Sequence, residues 1–127
     1  MILEKFKLAS VVSRRAAVKR IRCPVDVLAY ALIEDPDWNV RMSTAEHVGC
    51  PVEAMRKYYS LKIDENVTTL IQHPNCPGDI LAHAVLNSIN AVTRYFAADH
   101  PNCPVEALAE ALNDRDDIVR RVALRRV

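Results

Sequence analysis

The chain has 127 residues, of which 50% are hydrophobic and 26% charged, so its composition is that of a soluble folded domain and excludes a disordered polymer. Its 2 glycines are too few for a glycine-rich phosphate-binding loop, and no apolar run reaches the roughly 18–20 residues of a membrane span. The net charge of +1 is unevenly distributed, because residues 1–22 and 115–127 are basic whereas residues 23–114 are acidic. This distribution disfavours a continuous surface for binding a polyanion.

The first ten residues, 1–10, form a short amphipathic stretch that predicts a cap at the N-terminus of the fold. The stretch lacks the ordered regions of a cleavable secretory signal. We therefore expect a cytoplasmic location, in which cysteines are kept reduced.

A Cys-Pro pair recurs four times, and its cysteines are 27, 26 and 27 residues apart. A histidine stands three residues before three of these cysteines, and an arginine, Arg20, before the other. The recurring residues are Cys23-Pro24, Cys50-Pro51, Cys76-Pro77, Cys103-Pro104, His47, His73 and His100. Such spacing is the signature of a repeat array. It predicts one repeat domain over residues 1–127, divided into a cap (1–10), a half repeat (11–22) and repeats at 23–49, 50–75, 76–102 and 103–127.

Each repeat predicts two helices. A proline in the first helical turn costs no hydrogen bond, and an acidic residue two positions later lies at the positive end of the helix dipole. Apolar residues at five and nine positions after the cysteine then mark one buried face of a helix of about ten residues. A polar break and a second apolar segment of about two turns follow. Because such a pair of helices cannot bury its face alone, neighbouring repeats must stack, and the fold is predicted to be all-α.

Several segments resemble the leucine-rich repeat variant (LRV) family. They are Asp35-Pro36-Asp37-Trp38-Asn39-Val40-Arg41, His47-Val48-Gly49-Cys50-Pro51, His73-Pro74-Asn75-Cys76-Pro77 and His100-Pro101-Asn102-Cys103-Pro104. The resemblance covers about residues 11–127 and implies an all-helical solenoid whose second helices can be 3₁₀. We accordingly expect a right-handed α-solenoid of about four and a half repeats.

The cysteines and histidines are predicted to be structural. Equivalent positions on neighbouring repeats lie about 8–10 Å apart, whereas zinc ligands lie about 2.3 Å from the metal and disulfides need Cα atoms within about 7 Å. We expect the thiols to be small buried residues and the imidazoles to hydrogen-bond the turn backbone. No metal site or cofactor is predicted.

Two groups of side chains are candidates for binding. A basic cluster suited to phosphates or an acidic protein consists of Arg14, Arg15, Lys19, Arg20 and Arg22. An aromatic surface suited to a protein partner consists of Tyr30, Trp38 and Tyr58, with Tyr59 assigned to the core.

The preferred function is a non-catalytic protein-interaction module or scaffold. No nucleophile elbow, metalloprotease or nucleotide-binding motif occurs, so an enzyme is not predicted. One alternative is a nucleic-acid-binding protein that uses the basic ends, although aromatic residues for base stacking are few. Another is a metal or iron–sulfur redox protein that uses the repeated cysteines. Repulsion between two basic ends favours a monomer over a dimer.

Overall fold

The computed structural model of the protein describes residues 2–64 and 67–127. Over these residues the chain forms ten α-helices and no strand, which confirms the all-α prediction. The helices are α1 (Ile2–Leu8), α2 (Val11–Ala17), α3 (Val25–Glu34), α4 (Trp38–Glu46), α5 (Val52–Leu61), α6 (Thr68–Ile71), α7 (Gly78–Asn87), α8 (Ala91–Asp99), α9 (Val105–Ala111) and α10 (Asp117–Arg126). No helix within the described ranges is both long and apolar enough to cross a bilayer.

The chain divides into two compact units, Met1–Glu65 and Asn66–Val127, and the division falls inside the predicted repeat 50–75. In the first unit, α3 contacts α1, α4 and α5, and α2 contacts α4. In the second unit, α8 contacts α6, α7, α9 and α10, and α7 contacts α9. Equivalent helices of successive repeats therefore lie side by side within each unit. The second helices are α-helical, so the 3₁₀ expectation is wrong.

The first helix of every repeat begins directly after its Cys-Pro pair, so the proline precedes the first turn in which it was predicted to lie. Each proline is the N-cap residue, one position before the helix, and its carbonyl accepts the first main-chain hydrogen bond of the helix. An acidic residue occupies each first turn. The position five residues after each cysteine is fully or almost fully buried, at Leu28, Met55, Leu81 and Leu108. The prediction is thus confirmed for this position, whereas nine residues after the cysteine only Leu32 and Val85 are buried, and Tyr59 and Leu112 are half-buried.

The second helices begin with polar caps. Ser10, Asp37, Asn90 and Asp116 each accept a main-chain N–H of the helix that follows. These residues stand ten positions before Arg20, His47, His100 and Arg126. The short helix α6 has no side-chain cap bond among the described residues. A polar cap therefore recurs at the same repeat position in four of the five second helices of the described residues.

Gly78 provides a stability prediction, because the other three repeats have valine at its position. A Cβ atom at Gly78 would lie 2.9 Å from the main-chain oxygen of Asn102. Although Gly78→Ala improves helix propensity by up to about 1 kcal/mol, the main chain at Asn102, at the end of the same repeat, would have to move. We expect Gly78→Ala and Gly78→Val each to lower the free energy of unfolding, by about 1–3 kcal/mol for valine. Urea unfolding measures the change, and an increase in stability for Gly78→Val would contradict the close approach.

Candidate functional site

The histidines bind the main chain of two repeats at once. His47 accepts a hydrogen bond at Nδ1 from the Gly49 N–H (2.8 Å), so Nε2 carries the proton and donates to the Arg20 carbonyl (2.7 Å). His100 does the same with the Asn102 N–H (3.0 Å) and the His73 carbonyl (2.7 Å). These imidazoles therefore hold the turn, as predicted, and also join it to the preceding repeat.

Arg126 stands at the histidine position of the last repeat and donates to the His100 carbonyl at 3.2 Å. Arginine can thus take over the inter-repeat bond. Arg20 occupies the same position in the half repeat. The example of Arg126 shows that an arginine side chain at this position can donate to a main-chain carbonyl.

Three arginines on second helices reach an aspartate of the following repeat. Arg14 pairs with Asp35 (2.9 Å), Arg41 with Asp64 (3.0 Å) and Arg94 with Asp114 (3.0 Å). Each arginine also donates to a main-chain carbonyl five or six residues earlier. These guanidinium groups are mostly buried and fully engaged, so their role is to couple repeats.

The cysteines are protonated packing residues. Burial raises the pKa of Cys50 and that of Cys76 to about 12, and it also raises the pKa of Cys103 and of the half-buried Cys23. Metal binding needs deprotonated thiolates, which this burial opposes. Within the described ranges, no three metal-ligating side chains come together. The geometry therefore gives no support to a metal or iron–sulfur centre.

The raised thiol pKa values predict a loss of stability at alkaline pH. Above about pH 9 the unfolded chain releases thiol protons that Cys50 and Cys76 retain in the folded state up to about pH 12. The contribution of these thiols to stability is therefore constant below about pH 9 and falls as the pH rises, by up to about 1.4 kcal/mol per pH unit for each thiol. Urea unfolding at pH 8 and pH 10.5, in reductant, measures the slope. The slope should be smaller in the double variant Cys50→Ala/Cys76→Ala, and an equal slope would contradict the thiol origin.

The predicted basic cluster is divided by the fold. Arg14 is bound to Asp35, and Arg15 forms two hydrogen bonds of 3.0 Å with Asp37. The hydrogen bond between Arg15 and Asp37 lowers the pKa of that carboxyl and raises the pKa of the guanidinium. Lys19, Arg20 and Arg22 are exposed. Only these three remain available as exposed cations.

Arg20 and Arg22 line an open groove, here called the basic groove, between α1, α2 and the start of α3. Its volume is about 530 Å³. Its apolar side chains come from Ile2, Phe6, Ala9, Ala17, Pro24 and Val27, and its remaining ones from Lys5, Ser13, Arg20, Arg22 and Cys23. Among the described residues, no acidic side chain lines it. Lys19 lies outside it, in a separate pocket beside Ser43 and Glu46.

The predicted aromatic surface is partly wrong. Tyr58 is 1% exposed and donates a hydrogen bond of 2.5 Å to Asp64, whereas Tyr59 is half-buried, so their expected positions are reversed. Burial acts to raise the pKa of the Asp64 carboxyl, but hydrogen bonds from Arg41 and Tyr58 lower it overall. Tyr58 occupies a fully buried column, eight residues after the cysteine, that holds alanine in the other repeats. It cannot contact a partner without unfolding.

Tyr30 and Trp38 are accessible. The half-buried Tyr30 packs its ring edge-on against Phe6, with Lys7 Nζ 5.0 Å from its centroid. It lines a second open groove of about 680 Å³ between α3 and α5, here called the tyrosine groove. Its apolar surface comes from Val25, Ala29, Tyr30, Ile33, Pro51 and Ala54, and its charged surface from Asp26, Glu34, Glu53 and Lys57. Trp38 is 52% exposed at the start of α4 and lines neither groove.

The chain matches no protein-family model, and neither the curated proteins nor the solved structures yield a match. Its functional surfaces must therefore be judged from their own geometry.

Sequence reasoning missed both grooves and the engagement of Arg14 and Arg15. Each groove is lined by residues of separate helices, which a linear pattern does not bring together. One signal was present, since Arg14, Arg41, Arg94 and Arg120 recur six residues before the histidine position. Recurrence at a fixed repeat position indicates a structural role for Arg14 rather than a binding role.

Proposed function

We propose that the protein is a non-catalytic protein-interaction module built from LRV-like repeats that stack as a right-handed α-solenoid. Side-by-side packing of equivalent helices within each unit supports the stacking. The inter-repeat bonds made by His47, His100 and Arg126 support it further, because they repeat the same join between successive copies. We assign the module to the cytoplasm, where its thiols stay reduced.

The tyrosine groove is the observation that carries this proposal. It combines an open apolar surface, an accessible tyrosine and a charged rim, which is the composition of a protein-binding hot spot with its polar surround. The histidine and arginine side chains that recur in the repeats already bind groups of neighbouring repeats. Binding specificity is therefore left to residues that differ between repeats, such as Tyr30 and Lys57.

Site-specific photo-crosslinking tests the proposal. A photoreactive phenylalanine analogue is placed at Lys57 on the rim of the tyrosine groove, at Arg22 in the basic groove, and at the exposed Glu110 on α9 as a control. In extract of the cells that make the protein, we expect a discrete protein adduct from position 57 and none from position 110. The adduct should be lost when Tyr30→Ala is added.

Equal adducts from all three positions, or persistence of the adduct in Tyr30→Ala, would reject the groove as a binding site. Recovery of nucleic acid in place of protein would favour the nucleic-acid alternative. That alternative has less support, because Asp35 and Asp37 neutralise two of its five predicted contacts. Its binding should weaken steeply with salt.

A further inference from the structure

We infer that the basic groove binds an acidic amphipathic segment of a partner protein, with Arg20 donating to an oxygen of that segment. The inference rests on the proposed interaction function and identifies a second surface together with the chemistry of its partner. Three observations carry it: the repeat position of Arg20, the composition of the groove, and the contrast in charge with the tyrosine groove.

Arg20 occupies a position whose side chain elsewhere donates across to the preceding repeat. His47 donates to the Arg20 carbonyl, His100 to the His73 carbonyl, and Arg126 to the His100 carbonyl. Within the described ranges no repeat precedes the half repeat, and the Arg20 side chain instead lines the basic groove. It is thus placed where its counterparts bind a main-chain oxygen. A segment lying in the groove can supply that oxygen as a carbonyl or a carboxylate.

The groove has an apolar floor and a cationic rim. Phe6 and Val27 are buried at its base, and Lys5, Arg20 and Arg22 are exposed around it. None of these three cations forms an ion pair with a described residue. A ligand that matches both features has one apolar face and flanking negative charges. An amphipathic helix rich in Asp and Glu has this pattern, and helices bind grooves by inserting their apolar face.

The two grooves of the first unit have opposite charge. Counted over the part of the chain that the structure describes, the basic groove has three cations and no anion, whereas the tyrosine groove has three carboxylates and one cation. Because like charges across an interface are repelled, an acidic segment is directed to the basic groove and away from the tyrosine groove. The volume of about 530 Å³ lies within the roughly 300–1,000 Å³ of ligand sites, so it holds several side chains of a segment whose remainder extends outside.

The chain offers a matched pair of variants for testing this. Arg20 and Lys19 are adjacent, exposed and equally charged, but only Arg20 lines the groove. Arg20→Glu/Arg22→Glu reverses two charges of the rim, and Lys19→Glu reverses one charge directly beside it. Thermal unfolding establishes that both variants remain folded. The Arg20 carbonyl still accepts from His47 whatever side chain stands there.

The probe is a displayed library of random 16-residue peptides, selected on the full chain. Fluorescence anisotropy in about 150 mM salt measures the affinity of the enriched peptides, and amide chemical shifts of the protein locate them. We expect enriched peptides to be acidic and amphipathic and to shift residues 2–27. We expect on the order of tenfold or greater loss of affinity in Arg20→Glu/Arg22→Glu and at most about twofold in Lys19→Glu.

Basic or neutral enriched peptides, equal losses in the two variants, or no enrichment would overturn the inference. Stoichiometric binding of oleate that displaces the peptides would also overturn it, in favour of a fatty-acid site. Enriched peptides that instead shift residues of the tyrosine groove, with Tyr30→Ala weakening them, would overturn the basic groove as the acidic site while leaving the interaction function intact. The two proposals therefore fail separately.

Discussion

Replacing Arg94 with valine is expected to lower the free energy of unfolding by about 3–5 kcal/mol. The side chains of Arg94 and Asp114 are 5% and 9% exposed, and two nitrogens of the guanidinium bind the two carboxylate oxygens at 3.0 and 3.2 Å. Removing the arginine leaves a buried carboxylate without its counter-charge. It also removes the hydrogen bond of 2.9 Å to the Ser88 carbonyl. The lost counter-charge accounts for most of the expected destabilisation, because ions are costly to bury alone.

The chain itself contains the substitution that should relieve this cost. Val67 stands six residues before His73, at the arginine position, and Ser88 stands at the aspartate position of the following repeat. Ser88 Oγ accepts the N–H of the residue two positions on, as Asp114 Oδ1 does. Arginine and aspartate are thus absent together from this one junction. We therefore expect Arg94→Val/Asp114→Ser to be less stable than the natural chain by only about 1–2 kcal/mol. It should thus be more stable than Arg94→Val alone.

Urea unfolding of the natural chain and the two variants measures this order. Arg121→Ala is the control, because its pair with Asp117 is largely exposed and such pairs contribute about 0–1 kcal/mol. If the double variant were no more stable than Arg94→Val, the unpaired Asp114 carboxylate would not be the main cost, and the lost packing of the arginine and its lost bond to the Ser88 carbonyl would account for the destabilisation. The comparison also cancels most effects on the unfolded state, since both variants share the valine.

The helices could be predicted from the sequence because their signals are local. Proline followed by an acidic residue marks each first helix, and the leucine or methionine five residues after the cysteine is buried in all four repeats. The histidine role was also predictable, since a residue that recurs in several copies serves the repeat rather than one active site. These inferences need only spacing and propensity.

The burial of adjacent side chains and the pairing of side chains distant in the sequence could not be predicted in this way. Tyr58 and Tyr59 are neighbours, and the average repeat gave no reason to prefer a column that elsewhere contains only alanine. Tyr58 is nevertheless accommodated there because its hydroxyl reaches Asp64. The ion pairs join residues 20 to 23 positions apart, and this spacing varies with the loop between them. Which cations in residues 14–22 can bind a ligand therefore depends on which of them lie next to an aspartate in the folded chain.

Replacing His100 with alanine should cost about 2–4 kcal/mol, because two main-chain groups lose their partner together. The His73 carbonyl and the Asn102 N–H both bind the imidazole, and His100 is 7% exposed. His47→Ala removes the same two bonds in the first unit and should have a similar effect. His83→Ala is the matched control, since that histidine is exposed on α7. Thermal and urea unfolding measure all three variants. If His83→Ala and His100→Ala lowered stability equally, the hydrogen bonds of His100 would not be the cause of its effect. The proposed joining of successive repeats by the imidazole would then be contradicted.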